Sequence, residues 1–235
     1  MINKNEGGLE FRYCEDIGMF AWDRPINDIP EEGIEGSCVH ATAYCKDTCY
    51  NVKLYKMYSN MVVKDVRSEK AWQSMQPNQV SKQLARKLKP TSRVRGCTRG
   101  ENIKDVNDVY RIANLARATP NTDYWIPVRA WRDPELKTII EEVLFPITNV
   151  VVNASTDPTT TIDEWNMLED TGWSIMHFGD ERTKTPKGSA MFDCPKTQGG
   201  PDKKGIKGHC SICKAGCFKK ITKGTPSIVH LGMAH

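Results

Sequence analysis

Nine cysteines occupy this 235-residue chain, and seven of them are bunched. Cys38, Cys45 and Cys49 fall in one short segment. Cys194, Cys210, Cys213 and Cys217 fall near the other end, while Cys14 and Cys97 stand alone. An odd total does not suit a disulfide framework. The opening residues, MINKNEGGLEF, contain no apolar signal core, so the reading is a soluble chain that is not exported. Bunched thiols in such a chain point to metal ligation before disulfides.

The two groups differ in what they can hold. Cys210-x2-Cys213-x3-Cys217 brings two thiolates to one tight loop and a third one turn further on. Cys194 closes the set from a distance, and a Pro follows it. Four thiolates suit either structural zinc or an iron–sulfur cluster, and a Pro beside a ligating Cys recurs in ferredoxin-type sites. Cys38-x6-Cys45-x3-Cys49 offers only three. On a 4Fe–4S cluster three thiolates leave one iron open, whereas zinc would recruit His40 beside Cys38. Cys14, Cys97, His40 and a tail cysteine are the candidates for a fourth ligand. The plain alternative is that Cys45 and Cys49 share a helical face and pack as small apolar residues.

Charge follows the second group. Residues 182–223 carry eleven Lys or Arg against two Asp, a net +9 in a chain of net +4, so the rest is net negative. Three readings stand: a solvated tail, cationic compensation of a thiolate-bound cluster, or a nucleic-acid patch. Aromatic interleaving there is confined to Phe192 and Phe218, which weakens the last.

Between the cysteine groups the chain alternates helix and strand signals. The length and six Trp suit a buried core, and no run approaches the roughly 20 apolar residues of a membrane helix. A helix is expected over 51–63, with Leu54, Tyr58, Met61 and Val62 on one face. A second begins at Ser68 and is interrupted by Pro77, after which Val80, Leu84 and Leu88 continue a face. Ser92–Cys97 reads as a strand, and Asp105 starts a helix. Asp123–Trp131 is a strand that Pro127 weakens. Asp133-Pro134 opens another helix. Thr148–Ser155 has the unbroken β-branched centre of a strand covered on both faces. Thr161 with Glu164 forms a capping box, Gly172 ends that helix, and Trp173–Gly179 is a further strand.

Strands separated by such helices build βαβ units and a parallel sheet, either open or a partial barrel, with ligands at the C-terminal strand ends. Those ends carry Cys97 to Glu101, Arg129, Arg132, Asn153, Ser155, Asp157, His177, Asp180 and Glu181. His177 reads as a strand residue meeting a backbone partner. Trp125, Trp131, Trp165 and Trp173 read as core. From residue 182 the periodicity stops. The expected organisation is therefore a partial α/β barrel over 1–181 and a Cys-rich, Lys-rich metal-binding tail over 182–235 packed on it.

The CVHATAYCKDTCYN loop feeding a helix resembles the cluster loop of radical SAM enzymes, which are partial parallel barrels with three cysteines in the first loop. Their usual spacing is C-x3-C-x2-C. Arg99-Gly100-Glu101 loosely resembles the segment that holds the SAM amino group. More of the chain is similar to a phage family called gene product 88. The shared landmarks are Gly18–Phe20, the Cys-x3-Cys-Tyr loop, a strand opening with Arg, Asn153-x-Ser155-x-Asp157, and the Cys194-Pro195 start of a cysteine-rich tail.

That resemblance implies an iron–sulfur protein in the cytoplasm of an infected host cell, with one or two 4Fe–4S clusters. Cys38, Cys45 and Cys49 would hold one. The tail cysteines would hold a second, or zinc, or lend a fourth ligand to the first. If the chain is an enzyme, Arg95, Glu101, Ser155 and Asp157 would line a pocket for S-adenosylmethionine, with the substrate and redox partner unspecified. The rival expectation is a non-catalytic, metal-stabilised phage protein that binds a protein or nucleic-acid partner.

Overall fold

The computed structural model describes residues 11–15, 17–75, 93–179, 194, 210, 213 and 217, together with the backbone of 191–193 and 228–231. The expected helix around Val80, Leu84 and Leu88, the acidic pair Asp180 and Glu181, and most of the basic segment lie outside these residues.

Eight strands form one sheet. They are β1 (Arg12–Cys14), β2 (Met19–Ala21), β3 (Arg93–Arg95), β4 (Asp123–Val128), β5 (Val150–Thr156), β6 (Ser174–Phe178), β7 (Met191–Asp193) and β8 (Ile228–Leu231). Their order is β1-β2-β3-β4-β5-β6-β8-β7. Only β1 and β2 pair antiparallel; every other neighbour is parallel. From β2 to β6 each strand lies beside its predecessor, so the order does not reverse as it does in doubly wound sheets. β7 and β8 were not legible in the sequence, because each is too short to show periodicity.

The helices are α1 (Ala43–Asp47), α2 (Tyr50–Met57), α3 (Ser59–Ser74), α4 (Val106–Ala118), α5 (Pro134–Val143) and α6 (Ile162–Asp170). Their starts follow local chemistry. The Asp105 carboxylate accepts from the amide of Asp108, and Asp133 accepts from the amides of Glu135 and Leu136 ahead of Pro134. Thr161 and Glu164 form the expected capping box.

Three expectations need correction. The expected 51–63 helix breaks at Tyr58, whose φ of −134° and ψ of 84° are not helical. Tyr58 is then exposed rather than part of an apolar face. Ser68 starts nothing: it sits buried inside α3. The strand expected over Asp123–Trp131 stops at Val128, one residue past Pro127, and Ala130–Arg132 forms a 3-10 turn instead. The Pro127 carbonyl accepts a side-chain bond from Asn102 Nδ2 at 2.6 Å.

Side chains on the sheet separate by parity, as period 2 requires. Val94, Tyr124, Ile126, Val128, Val150, Val152, Ala154 and Ile175 join one apolar cluster with Trp72 of α3, Ile112 of α4, Ile140 of α5 and Trp165 of α6. Helices α3 to α6 therefore pack on a single face. Each fully buried Trp there removes about 150–250 Å² from water, worth at most about 4–6 kcal/mol. The opposite face has a smaller cluster of Ile17, Met19, Trp125 and Met176, against which Cys14, Cys210 and Cys217 pack. Among the described residues no helix is long and apolar enough to cross a membrane.

Candidate functional site

The first cysteine group lies over the C-terminal ends of the parallel strands. Thr42 caps α1 by accepting from the Cys45 amide, and its hydroxyl donates to Asp157, the residue just after β5, at 2.7 Å. The Tyr50 hydroxyl reaches the carbonyl of Thr98 beyond β3 at 3.5 Å. Gly36 sets the approach to Cys38: a Cβ there would lie 2.6 Å from the Asn27 carbonyl carbon, so only glycine lets the two backbones pass. Ser37 is fully buried; its hydroxyl donates to the Pro25 carbonyl and accepts from the Glu101 amide.

Cys38, Cys45 and Cys49 line one cavity of about 530 Å³, together with Asn27, Asp28, Lys46 and a few apolar side chains. Burial pushes the Cys38 thiol up to about 12, reinforced by the charges of Glu101, Cys45 and Cys49. Burial also raises Cys45, with Arg129 opposing. The three thiols thus lie within electrostatic reach of one another. Burial therefore favours the protonated thiol at Cys38 and Cys45, and a bound cation would have to displace those protons.

None of the candidate fourth ligands lines this cavity. Cys97 is buried in the helix-side core, with its thiol turned to the Glu101 carbonyl at 3.6 Å. His40 Nε2 lies 3.0 Å from the Lys104 carbonyl. Cys14 packs against the opposite-face cluster, as do Cys210 and Cys217. Among the described residues, no group of three or more His, Cys, Asp or Glu is disposed to hold a single metal ion. A cluster that takes each thiolate on a different iron makes a looser demand. Three thiols around one cavity fit that demand.

The polar strand ends hold one another. Glu101 is buried, and its carboxylate accepts from the amides of Asn102, Ile103 and Arg129. Burial raises its pKa against the pull of those amides. Arg129 in turn donates to Asp157 at 2.6 Å. Burial alone would raise Asp157, but bonds from Thr159 and Thr42 and the charge of Arg129 hold it down to about 2. Gly100 keeps a φ of +81°, and a Cβ there would meet the Arg24 carbonyl at 2.5 Å. Arg99 is tied to Asp65 at 2.7 Å and Asp23 at 2.9 Å.

Of the residues expected to line a pocket, Glu101 and Asp157 come together through Arg129, within electrostatic reach of Cys45. Arg95 and Ser155 do not join them. Arg95 points to the face opposite the helices and stacks over Trp125 at 4.8 Å. Ser155 has the same strand parity, next to Met176 on β6. His177 lies in β6, and its Nδ1 meets the Thr156 hydroxyl at 3.0 Å. Trp131, Trp165 and Trp173 are helix-side core, whereas Trp125 belongs to the opposite cluster. Sequence reasoning missed Asn27, Asp28 and Lys46 in the cavity wall; only the adjacency of Lys46 to Cys45 signalled any of them.

The four tail cysteines form a second set. Cys210 and Cys217 pack on the face opposite the helices. Burial pushes the Cys217 thiol up to about 12, reinforced by Cys194, Cys210 and Cys213 and opposed by Arg95. No disulfide joins any of the nine cysteines. Comparison with protein-family models, with curated proteins and with solved structures returns no match.

Proposed function

We propose that this chain is an iron–sulfur protein on a partial barrel of radical-SAM-like design, in keeping with its resemblance to the gene product 88 phage family. Cys38, Cys45 and Cys49 would ligate a 4Fe–4S cluster in the cavity they line. The observation that carries this reading is the wall of that cavity, with three thiols and no fourth thiol or imidazole among the described residues. The strand order supports the barrel. From β2 to β6 each strand adds on the same side, and right-handed crossovers of that kind put α3 to α6 on one face and would curl the sheet toward the other.

When bound, and once reduced by an external one-electron donor, such a cluster would supply one electron to S-adenosylmethionine. The protein groups have separate tasks. Lys46 offsets the negative charge of three thiolates. Thr42 and Asp157 fix the start of α1, and so the spacing of Cys45. Gly36 and Ser37 fix Cys38 against the loop after β3.

A second reading is a non-catalytic metal-stabilised protein that binds a phage or host partner. It is favoured by the way Glu101, Arg129 and Asp157 satisfy one another and leave little capacity for a ligand. Anaerobic purification tests both. The first reading expects brown protein with iron and acid-labile sulfide, and a cluster EPR signal that changes when SAM is added, with release of 5′-deoxyadenosine. Iron and sulfide with no response to SAM selects the second reading. Colourless protein with stoichiometric zinc and no sulfide overturns the iron–sulfur assignment.

A further inference from the structure

We propose that the cavity between β1, the residues just after β2 and β3, and the middle of α3 binds the phosphate group of a small organic phosphate, with Arg12, Lys64, Ser68 and Arg99 as its donors. This cavity shares no residue with the one lined by the loop cysteines. The inference therefore goes beyond the loop site and stands whether or not the loop thiols bind iron.

The cavity holds about 350 Å³, within the range of small-ligand sites. Its cations are already oriented. Arg12 donates to Asp23 at 3.1 Å and to the Thr98 hydroxyl at 3.0 Å. Arg99 donates to Asp65 at 2.7 Å and lies 2.9 Å from Asp23. The two carboxylates have further donors: Asp23 accepts from the amides of Thr98 and Arg99, and Asp65 from the Tyr55 hydroxyl at 2.6 Å. They aim the guanidinium groups and have little capacity left for a ligand. The donors are not used up in the same way. Neither Nη1 of Arg12 nor Nη1 of Arg99 has a partner among the described residues. Lys64 adds a third, exposed cation, unpaired with any carboxylate among the described residues. Ser68 is an independent sign of a ligand. It lines the cavity, is 3% exposed, and its hydroxyl has no hydrogen-bond partner. A helical Ser commonly bonds back to the carbonyl four residues earlier; here that bond is absent and the hydroxyl is available. One helical turn separates Ser68 from Lys64, so both reach the cavity from the same side of α3.

Charge and geometry choose the ligand. Three cations against the carboxylates of Asp23 and Asp65 leave one positive charge in excess, which favours an anion. A carboxylate presents two coplanar oxygens, which a single guanidinium fork satisfies. The donors here come from β1, from the loop after β3 and from α3, and a phosphate group presents three acceptor oxygens in different directions. Phe11, 4% exposed, is the apolar part of the wall and offers a surface to the organic portion of the ester. S-adenosylmethionine carries a sulfonium cation and is disfavoured here by the same excess of positive charge.

Full-length protein of fixed metal content is titrated calorimetrically with inorganic phosphate, ribose 5-phosphate, AMP and succinate, in a buffer free of other polyvalent anions. Ribose 5-phosphate or AMP should bind, and more weakly as salt is raised. Ser68→Ala and Lys64→Met should each weaken that binding about tenfold, the order expected for losing a hydrogen bond to a charged group. Ser68→Ala should do so without lowering the urea midpoint of the ligand-free protein, because the hydroxyl it removes has no partner; a merely structural Ser68 would lower it. Lys64 is exposed, so Lys64→Met keeps the fold and decides the matter if the Ser68 variant is unstable. No binding of any phosphate at millimolar concentration refutes the site. Binding that neither substitution weakens puts the phosphate elsewhere and refutes the assignment. Succinate binding as tightly as the esters overturns the choice of phosphate. Inorganic phosphate binding as tightly as both esters upholds the site and overturns the role given to Phe11.

Discussion

Arg24, three residues past β2, is 1% exposed, and its removal should be strongly destabilising. The guanidinium donates to both oxygens of Glu69, at 2.6 and 2.8 Å, and to Asp108 at 2.7 Å. It also donates to the carbonyls of Glu101 and Asn102, at 3.4 and 3.1 Å. One side chain thereby ties α3, the start of α4 and the loop after β3 to the strand. Burial alone would lower its pKa, but Glu69 and Asp108 raise it overall. Arg24→Met leaves two buried carboxylates without their main cation. Breaking a buried pair from one side costs about 3–5 kcal/mol. At a urea slope of about 2 kcal/mol/M, a loss near 4 kcal/mol lowers the midpoint by about 2 M. Trp22 and Trp72 stack at 5.5 Å, and Arg24 lies over the Trp72 ring, so tryptophan fluorescence reports on the region directly. Both proteins are compared at equal metal content. A second change, Glu69→Met in the Arg24→Met background, should recover part of the loss. A midpoint shift below about 0.5 M would refute the network as a stabilising unit.

Glu101→Gln should cost about 2 kcal/mol, because one oxygen that accepts an amide is replaced by a donor facing the Arg129 N–H. Hydrogen exchange should quicken at Asn102, Ile103 and Arg129; unchanged exchange there would show that the carboxylate does not hold the loop. Acid should also weaken the fold through Asp108. Burial would raise this carboxyl, but the charge of Arg24 and bonds from Arg24, Lys104 and Trp72 lower it below the ordinary 3.8. Its contribution is complete above that value and is lost as pH falls through the folded-state value. Unfolding titrations between pH 5 and about pH 2 should show that loss, and Asp108→Asn should flatten it.

What could be read in the sequence was local. Asp133-Pro134, the Thr161–Glu164 box and the β-branched run of β5 each carry their structural reason within a few residues. The same holds for the two cysteine groups. What could not be read depends on pairs far apart in the chain. Arg24 finds Glu69 and Asp108 across 45 and 84 residues. The break at Tyr58 has no local breaker residue, since the helical period runs through it. Arg95 sits in the strand expected, but its parity sends it to the tail cysteines rather than to Glu101. That choice is fixed by register against Trp125 and not by any motif.

The place of β8 has a consequence for how the chain is made. β7 is synthesised before it, yet among the described residues β7 pairs only with β8, which is inserted between β7 and β6. During translation, β1 to β6 can dock in the order in which they emerge from the ribosome. Residues 191–193 must then wait, with their backbone groups solvated, until residues 228–231 appear. Residues 228–231 are therefore the ones that complete one flank of the sheet. Thirty-four residues, four of them cysteines, separate the two strands, so bringing the strands together carries a chain-closure entropy cost that ligand binding at those thiols would offset.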